Sequence, residues 1–240
     1  EEIRKDIIED LKKAILKMPA IIPAKDNGRA SKWAASMVLA KIYLLQKKWS
    51  EAKDVCLSIV TTSDRALLPK FGDVFSPTNE YNKEIIWELD FAKDINSQFE
   101  MGSPSTAGNG WWYPSMFSPR LTDEPKLSSQ KNALIAALAA NGEAFTGTGA
   151  QSPLPDLVTK FPANDPRRAM TIKQDYAGIP LKFAYMPKMW NLKIATSPRF
   201  NHSDNKLIYR LSDAYLMLAE AENELNGPTA LAYQYVNAIR

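Results

Sequence analysis

Apolar side chains recur every three or four residues at both ends of the chain, the period of helices that each cover one face. Ile3, Ile7, Leu11, Ile15 and Met18 predict an amphipathic helix that stops before Pro19. Residues 29–46 predict a second, with Trp33, Met37, Ala40 and Leu44 on one side and Ala34, Val38 and Leu45 beside it. After Lys47-Lys48 a third begins at Trp49-Ser50 and turns Ala52, Val55, Cys56 and Ile59 inward. At the far end Leu211, Tyr215, Leu218, Glu222 and Leu225 form one stripe, interrupted in character only by Glu222. Gly227 stands where a helix ends in a left-handed residue, and Pro228 can open a helix but not continue one. A last helical run covers residues 229–240, its face set by Ala230, Tyr233, Val236 or Asn237, and Arg240. Alanines at 214, 219, 221 and 230 let the two final helices approach closely.

Between these ends the rhythm changes. Trp87, Leu89 and Phe91 alternate with Ile86, Glu88 and Asp90, the period-two pattern of a strand. Residues 170–172 and 182–185 are further short-strand candidates. Ser129 reads as the N-cap of a short helix with Leu134, Ile135 and Leu138 inward and Gly142 as its stop. Gly147-Thr148-Gly149 is no phosphate loop, because no Gly-Lys-Ser/Thr follows at the required spacing.

Residues 92–125 are of another kind. Sixteen of these 34 residues are Gly, Pro, Ser, Thr or Asn, yet the segment carries Phe99, Trp111, Trp112, Tyr113 and Phe117. A loop of this length in a compact domain is functional or disordered. Disordered segments are poor in aromatics, so five rings argue for a built surface.

Composition narrows the class without naming it. The apolar fraction of 45% and charged fraction of 24% are those of an ordinary globular domain. A net charge of +3, with dispersed basic residues, offers no nucleic-acid footprint. No apolar run reaches the roughly 20 residues of a membrane helix. One cysteine excludes an internal disulfide, and one histidine excludes zinc sites built on two.

Two motifs carry a specific likeness. Residues 209–224 read Tyr-Arg-Leu-Ser-Asp-Ala-Tyr-Leu-Met-Leu-Ala-Glu-Ala-Glu-Asn-Glu, and the chain closes on Val236-Asn237-Ala238-Ile239-Arg240. This pair resembles the "R-Y-A-D-x-L-L-M-x-A-E-A-x-N-E" and "A-x-x-x-x-N-x-x-R" helices of the SusD/RagB family. The helix pair around Trp49, Glu84-Ile-Ile-Trp87-Glu88, the run from Asp156 to Arg167 and Pro187-Lys188-Met-Trp190 resemble further elements of that family. Ala40, Tyr43, Ala52 and Cys56 also fall at the packing offsets of a tetratricopeptide unit.

The resemblance implies a mainly helical fold: tetratricopeptide-like hairpins with a loop-rich insertion bearing a few short strands. It divides the chain into a helical scaffold, residues 1–64 and 208–240, and a ligand-facing insertion, residues 65–207, within one domain cut at both ends. It also implies a lipid-anchored, surface-exposed outer-membrane protein that binds glycan, performs no chemistry and serves a SusC-like TonB-dependent transporter barrel. A peptide-binding member of the family and a helical-repeat interaction scaffold are the alternatives. No cofactor is expected; structural calcium is compatible with the family but not indicated by the sequence.

Site chemistry follows the aromatic segment. Trp111-Trp112-Tyr113, between Gly110 and Pro114, cannot all turn inward from an extended backbone. A sugar's C–H face stacked on one ring buries about 60 Å², worth on the order of 1–2 kcal/mol, so several stacks are needed for even weak capture. Asn96, Gln98, Asn109 and Arg120 are the polar candidates beside them. Catalytic readings fare worse. Asp123-Glu124 are adjacent, and Glu220, Glu222 and Glu224 alternate round a helix, so neither forms the facing carboxylate pair that glycoside hydrolysis requires. His202 beside Asp204 reads as an exposed loop histidine; Glu84, Asp165, Arg167 and Arg168 read as structural.

Overall fold

A computed structural model describes residues 2–91, 116–119, 128–140, 149–190 and 205–240. Among them lie eight α-helices and four short strands, the mainly helical architecture expected. The chain divides into two compact units: Glu1–Pro69, Tyr81–Leu89 and Lys206–Arg240 form one, Lys70–Glu80 and Asp90–Asn205 the other. The strand Ile85–Leu89 thus belongs with the helices.

The helical unit is built from α1 (Glu2–Lys17), α2 (Lys32–Leu45), α3 (Trp49–Thr62), α7 (Leu211–Asn226) and α8 (Ala230–Asn237). Ser31 caps α2 by accepting from the Ala34 amide, which places the start three residues later than periodicity alone predicts. Consecutive helices pack on one another, and α3 lies against α7. The core they enclose contains Trp33, Met37, Tyr43, Cys56, Ile59 and Leu218, with Ala40, Ala52, Ala214 and Ala221 fully buried between backbones. All four tetratricopeptide-like packing positions are therefore interior, and Trp49 lies half-buried against them.

Several helix faces differ from expectation. On α1 only Ile8 is buried, while Ile3 is 74% exposed. A row of steps of four drifts about 40° per step around a helix of 3.6 residues per turn, and α1 packs mainly on α2. Only Leu11 and Ile15 of the expected row stay against the core. Leu45 and Leu225, at helix ends, are exposed. On α8 the inward residues are Ala232 and Tyr235; Ala230 and Tyr233 face outward. Thr229 fixes that phase, because its hydroxyl accepts from the Ala232 amide and donates to Glu222. Gly227 adopts φ 77° as required.

β1 (Ile85–Leu89) pairs antiparallel with β4 (Lys206–Arg210), with Trp87 opposite Tyr209 and Leu89 opposite Lys206. Irregularities on either side of Trp87 break the simple alternation. The result buries Ile85, Ile86 and Glu88, leaves Trp87 half-buried and exposes Leu89. Trp87 Nε1 donates to the Gly28 carbonyl at 3.3 Å, tying the loop before α2 to the strand.

The second unit holds α4 (Ser128–Ala140), α5 (Pro155–Lys160), α6 (Arg168–Thr171) and the hairpin β2 (Lys173–Tyr176) and β3 (Ile179–Tyr185). Residues 182–185 are strand as expected, but residues 170–171 are helical and not strand. The Asp165 carboxylate accepts from the Arg167 amide at 2.8 Å, and its carbonyl accepts from the Arg168 amide at 3.0 Å, which starts a helical turn where apolar alternation suggested extension. The hairpin turn is Ala177-Gly178 at φ 50° and 80°. An alanine in the left-handed region is uncommon, so the turn lacked the Asn-Gly or Asp-Gly signature. Helix α4 begins at Ser128, so Ser129 is not its cap; Leu134 is buried but Ile135 is 43% exposed.

Candidate functional site

The expected ligand-binding residues Asn96, Gln98, Asn109, Trp111, Trp112, Tyr113 and Arg120 lie outside the described residues, as do Asp123, Glu124 and His202. What is described is the peptide that follows the ring triplet in sequence. Residues 116–119 run across the second unit's own core. The Phe117 carbonyl accepts from the Met186 amide at 3.1 Å, and the Met116 carbonyl accepts from the Gln151 amide at 2.8 Å. Ser118 Oγ, 1% exposed, accepts from the Gly149 amide at 3.3 Å and donates to the Pro119 carbonyl at 3.3 Å.

Sequence-distant apolar residues make that anchor firm. Phe117 packs in a cluster with Leu134 of α4, Tyr176 of β2, Leu181 and Tyr185 of β3, and Trp190. Tyr185 and Trp190 meet edge to face, ring centres 5.7 Å apart and planes at 84°, a geometry that adds about 0.5–1.5 kcal/mol beyond area burial. The Pro187-Lys188-Met189 turn continues β3, and the Lys188 ammonium lies 5.9 Å from the Phe71 ring centre and 6.0 Å from that of Phe75. Beside it, α5 is closed at its C-terminus by Arg168, whose guanidinium donates to the Val158 carbonyl at 3.0 Å and also to the Phe161 carbonyl. On the other side of the long segment, the Phe91 amide donates to Asn205 Oδ1 at 3.1 Å.

Several of the described carboxylates are engaged structurally. Arg167 and Asp165 form a two-point ion pair, Nε–Oδ1 2.9 Å and Nη2–Oδ2 2.5 Å, and that hydrogen bond holds the guanidinium above its usual range. Glu84 is buried with Arg210 at 3.5 Å. Of the helical trio, Glu222 is buried against Lys53, while Glu220 and Glu224 are exposed. Sequence polarity had not distinguished these cases, and it gave no sign that Glu88 would be 2% exposed. Burial pushes the Cys56 thiol up to about 12, removing it as a nucleophile near neutrality. Among the described residues, no three His, Cys, Asp or Glu side chains gather as a metal site, and no helix is long and apolar enough to cross a membrane.

Residues 179–240 match the model of the SusD family. Over its whole length the chain is 53% identical to SusD-like protein P25 of Formosa agariphila, covering 47% of that protein. Two solved structures share the fold. A laminarin-binding SusD-like protein superposes with TM-score 0.76 at 24% identity, over 100% of this chain and 53% of that one. Surface glycan-binding protein A from Bacteroides thetaiotaomicron, in complex with laminarihexaose, does so with TM-score 0.73 at 21% identity, over 98% and 52%. The chain spans about half the length of these relatives. The full-length likeness to P25, the family match over residues 179–240 and the shared fold bear out the resemblance to the SusD family.

Proposed function

We propose that this chain is the part of a surface glycan-binding protein that carries its ring platform, and that the protein captures an oligo- or polysaccharide without cleaving it. The 53% identity to a SusD-like protein over the whole chain carries this reading. Two fold relatives, one laminarin-binding and one in complex with laminarihexaose, make a β-glucan the first ligand to try. Trp111, Trp112 and Tyr113 supply the stacking faces, with Asn96, Gln98, Asn109 and Arg120 as hydrogen-bonding partners. The anchored peptide at residues 116–119 supports this assignment, because a platform binds well only if its order is established before the sugar arrives. Stacks worth about 1–2 kcal/mol each add up to weak, reversible capture. Such capture suits transfer of the sugar to a TonB-dependent barrel of the outer membrane, with the protein lipid-anchored at the cell surface.

The test is affinity electrophoresis in gels containing laminarin and, separately, unrelated polysaccharides. The wild-type chain is retarded by at least one glycan. The triple variant Trp111→Ala, Trp112→Ala, Tyr113→Ala migrates freely with its melting temperature nearly unchanged. Equal retardation of the variant removes the platform; retardation by no glycan, alongside binding to peptides, replaces the ligand class. Release of shortened sugars during incubation contradicts a non-catalytic role.

A further inference from the structure

The chain passes between its two units four times, after Pro69, Glu80, Leu89 and Asn205. We propose that Glu84 and Glu88, the buried carboxylates just before and within β1, form a clasp that gathers the helical unit's own chain ends at these crossings into a single cooperative element.

Each carboxylate reaches a crossing from the interior. Glu84 Oε2 accepts from the Leu68 amide at 3.0 Å, one residue before the first crossing. Glu84 Oε1 faces the Arg210 guanidinium at 3.5 Å, and the Glu84 carbonyl accepts from the Leu211 amide at 2.8 Å, where the chain returns from the fourth. Glu88 Oε1 accepts at 2.7 Å from the Tyr81 amide, which belongs to the peptide bond of the second crossing itself. Tyr81 sits at φ 53°, a left-handed backbone that costs a bulky residue free energy unless its surroundings impose it. The third crossing leaves directly from β1, and Leu89 there pairs with Lys206 at the fourth. The side chains doing this are 5% and 2% exposed. A buried carboxylate is strongly unfavourable unless donors compensate it, so the fold supplies donors from sequence-distant segments. In return those segments are held around the start of β1.

Cooperativity is the content of the proposal, and hydrogen–deuterium exchange of the whole chain reads it. Glu88→Leu removes the acceptor of the Tyr81 amide. If the clasp is one unit, the Leu68 amide and those of Lys206–Arg210 also exchange at least tenfold faster, while α2 and α3 are unaffected; Glu88→Gln, which keeps an acceptor oxygen, returns them to near wild type. Acceleration at Tyr81 alone, or equal acceleration throughout the helical unit, overturns the proposal. Should Glu88→Leu fail to fold, Glu84→Gln decides. It retains an acceptor for Leu68 but loses the charge facing Arg210, so Lys206–Arg210 and Tyr81 accelerate together; independent or uniform behaviour refutes the clasp. None of these readouts depends on which ligand the protein binds.

Discussion

Lys53 Nζ lies 2.6 Å from Glu222 Oε2, joining α3 to a carboxylate of α7 that is only 3% exposed. The other oxygen accepts from Asn226 Nδ2 and Thr229 Oγ1, both at 3.1 Å. One side chain thus holds the last turn of its own helix, the cap of the next and the facing helix. The hydrogen bond to Lys53 is the main influence holding the Glu222 carboxyl below its ordinary value of 4.5, and the same bond raises Lys53 above 10.5.

The sign of the pH dependence follows. A folded-state carboxyl held low stabilises fully above pH 4.5 and loses that contribution as pH falls through its folded value. Lys53 contributes fully below 10.5 and loses its part as pH rises through its elevated value. Thermal melts of the wild type and Glu222→Gln should therefore differ most between these limits. Their melting temperatures should converge in acid below pH 4.5. A gap independent of pH would mean that the charge itself contributes nothing.

Phe117→Ala should lower the stability of the second unit by about 3–5 kcal/mol, the usual cost of emptying a buried phenylalanine site. The residue is 7% exposed and packs among Leu134, Tyr176 and Tyr185. Denaturant titration followed by tryptophan fluorescence measures the loss. Glycan retardation should weaken as well, although this ring is not assigned to the sugar.

Cys56 should resist thiol reagents in the native protein and react promptly after denaturation. It is fully buried, and its thiol is pushed up to about 12. A coloured disulfide reagent at pH 8 distinguishes the two states. Cys56→Ser should cost about 1–3 kcal/mol, because a hydroxyl replaces a small apolar group at a fully buried position.

Lys47 joins α2 to α3 at φ 57°. Glycine adopts that conformation without the side-chain penalty, and a left-handed glycine is the common way to end a helix. Lys47→Gly should stabilise the chain by about 0.5–1 kcal/mol, and a chemical melt would register it. Lys47→Val should do the reverse.

Much of the helical unit was legible before any coordinates. A period of three to four residues reports a helix because one face must leave water, and Gly227 and Pro228 mark its end through backbone sterics alone. The small residues Ala40, Ala52 and Ala221 announced close packing because nothing larger allows it. What lay beyond reach was the phase of α8, which Thr229 sets by bonding Glu222, and the strand β4, which exists only because β1 is there to pair with it. The same holds for the expected site. Its residues could be named from an excess of rings in a long polar segment, but the anchor at Phe117 depends on β3 and α4 arriving from elsewhere in the chain.

The sequence by itself determined the helices of the helical unit, the break at Gly227-Pro228 and the likeness to the SusD family, because these depend on residues within a few positions of one another. Tertiary structure alone decided which polar residues went inside. Glu84 reads as structural from the family resemblance, but its partner Arg210, 126 positions away, is one that only folding brings beside it. Whether a carboxylate is solvated or buried depends on the donors that surround it, and folding delivers those donors from segments that no local pattern connects.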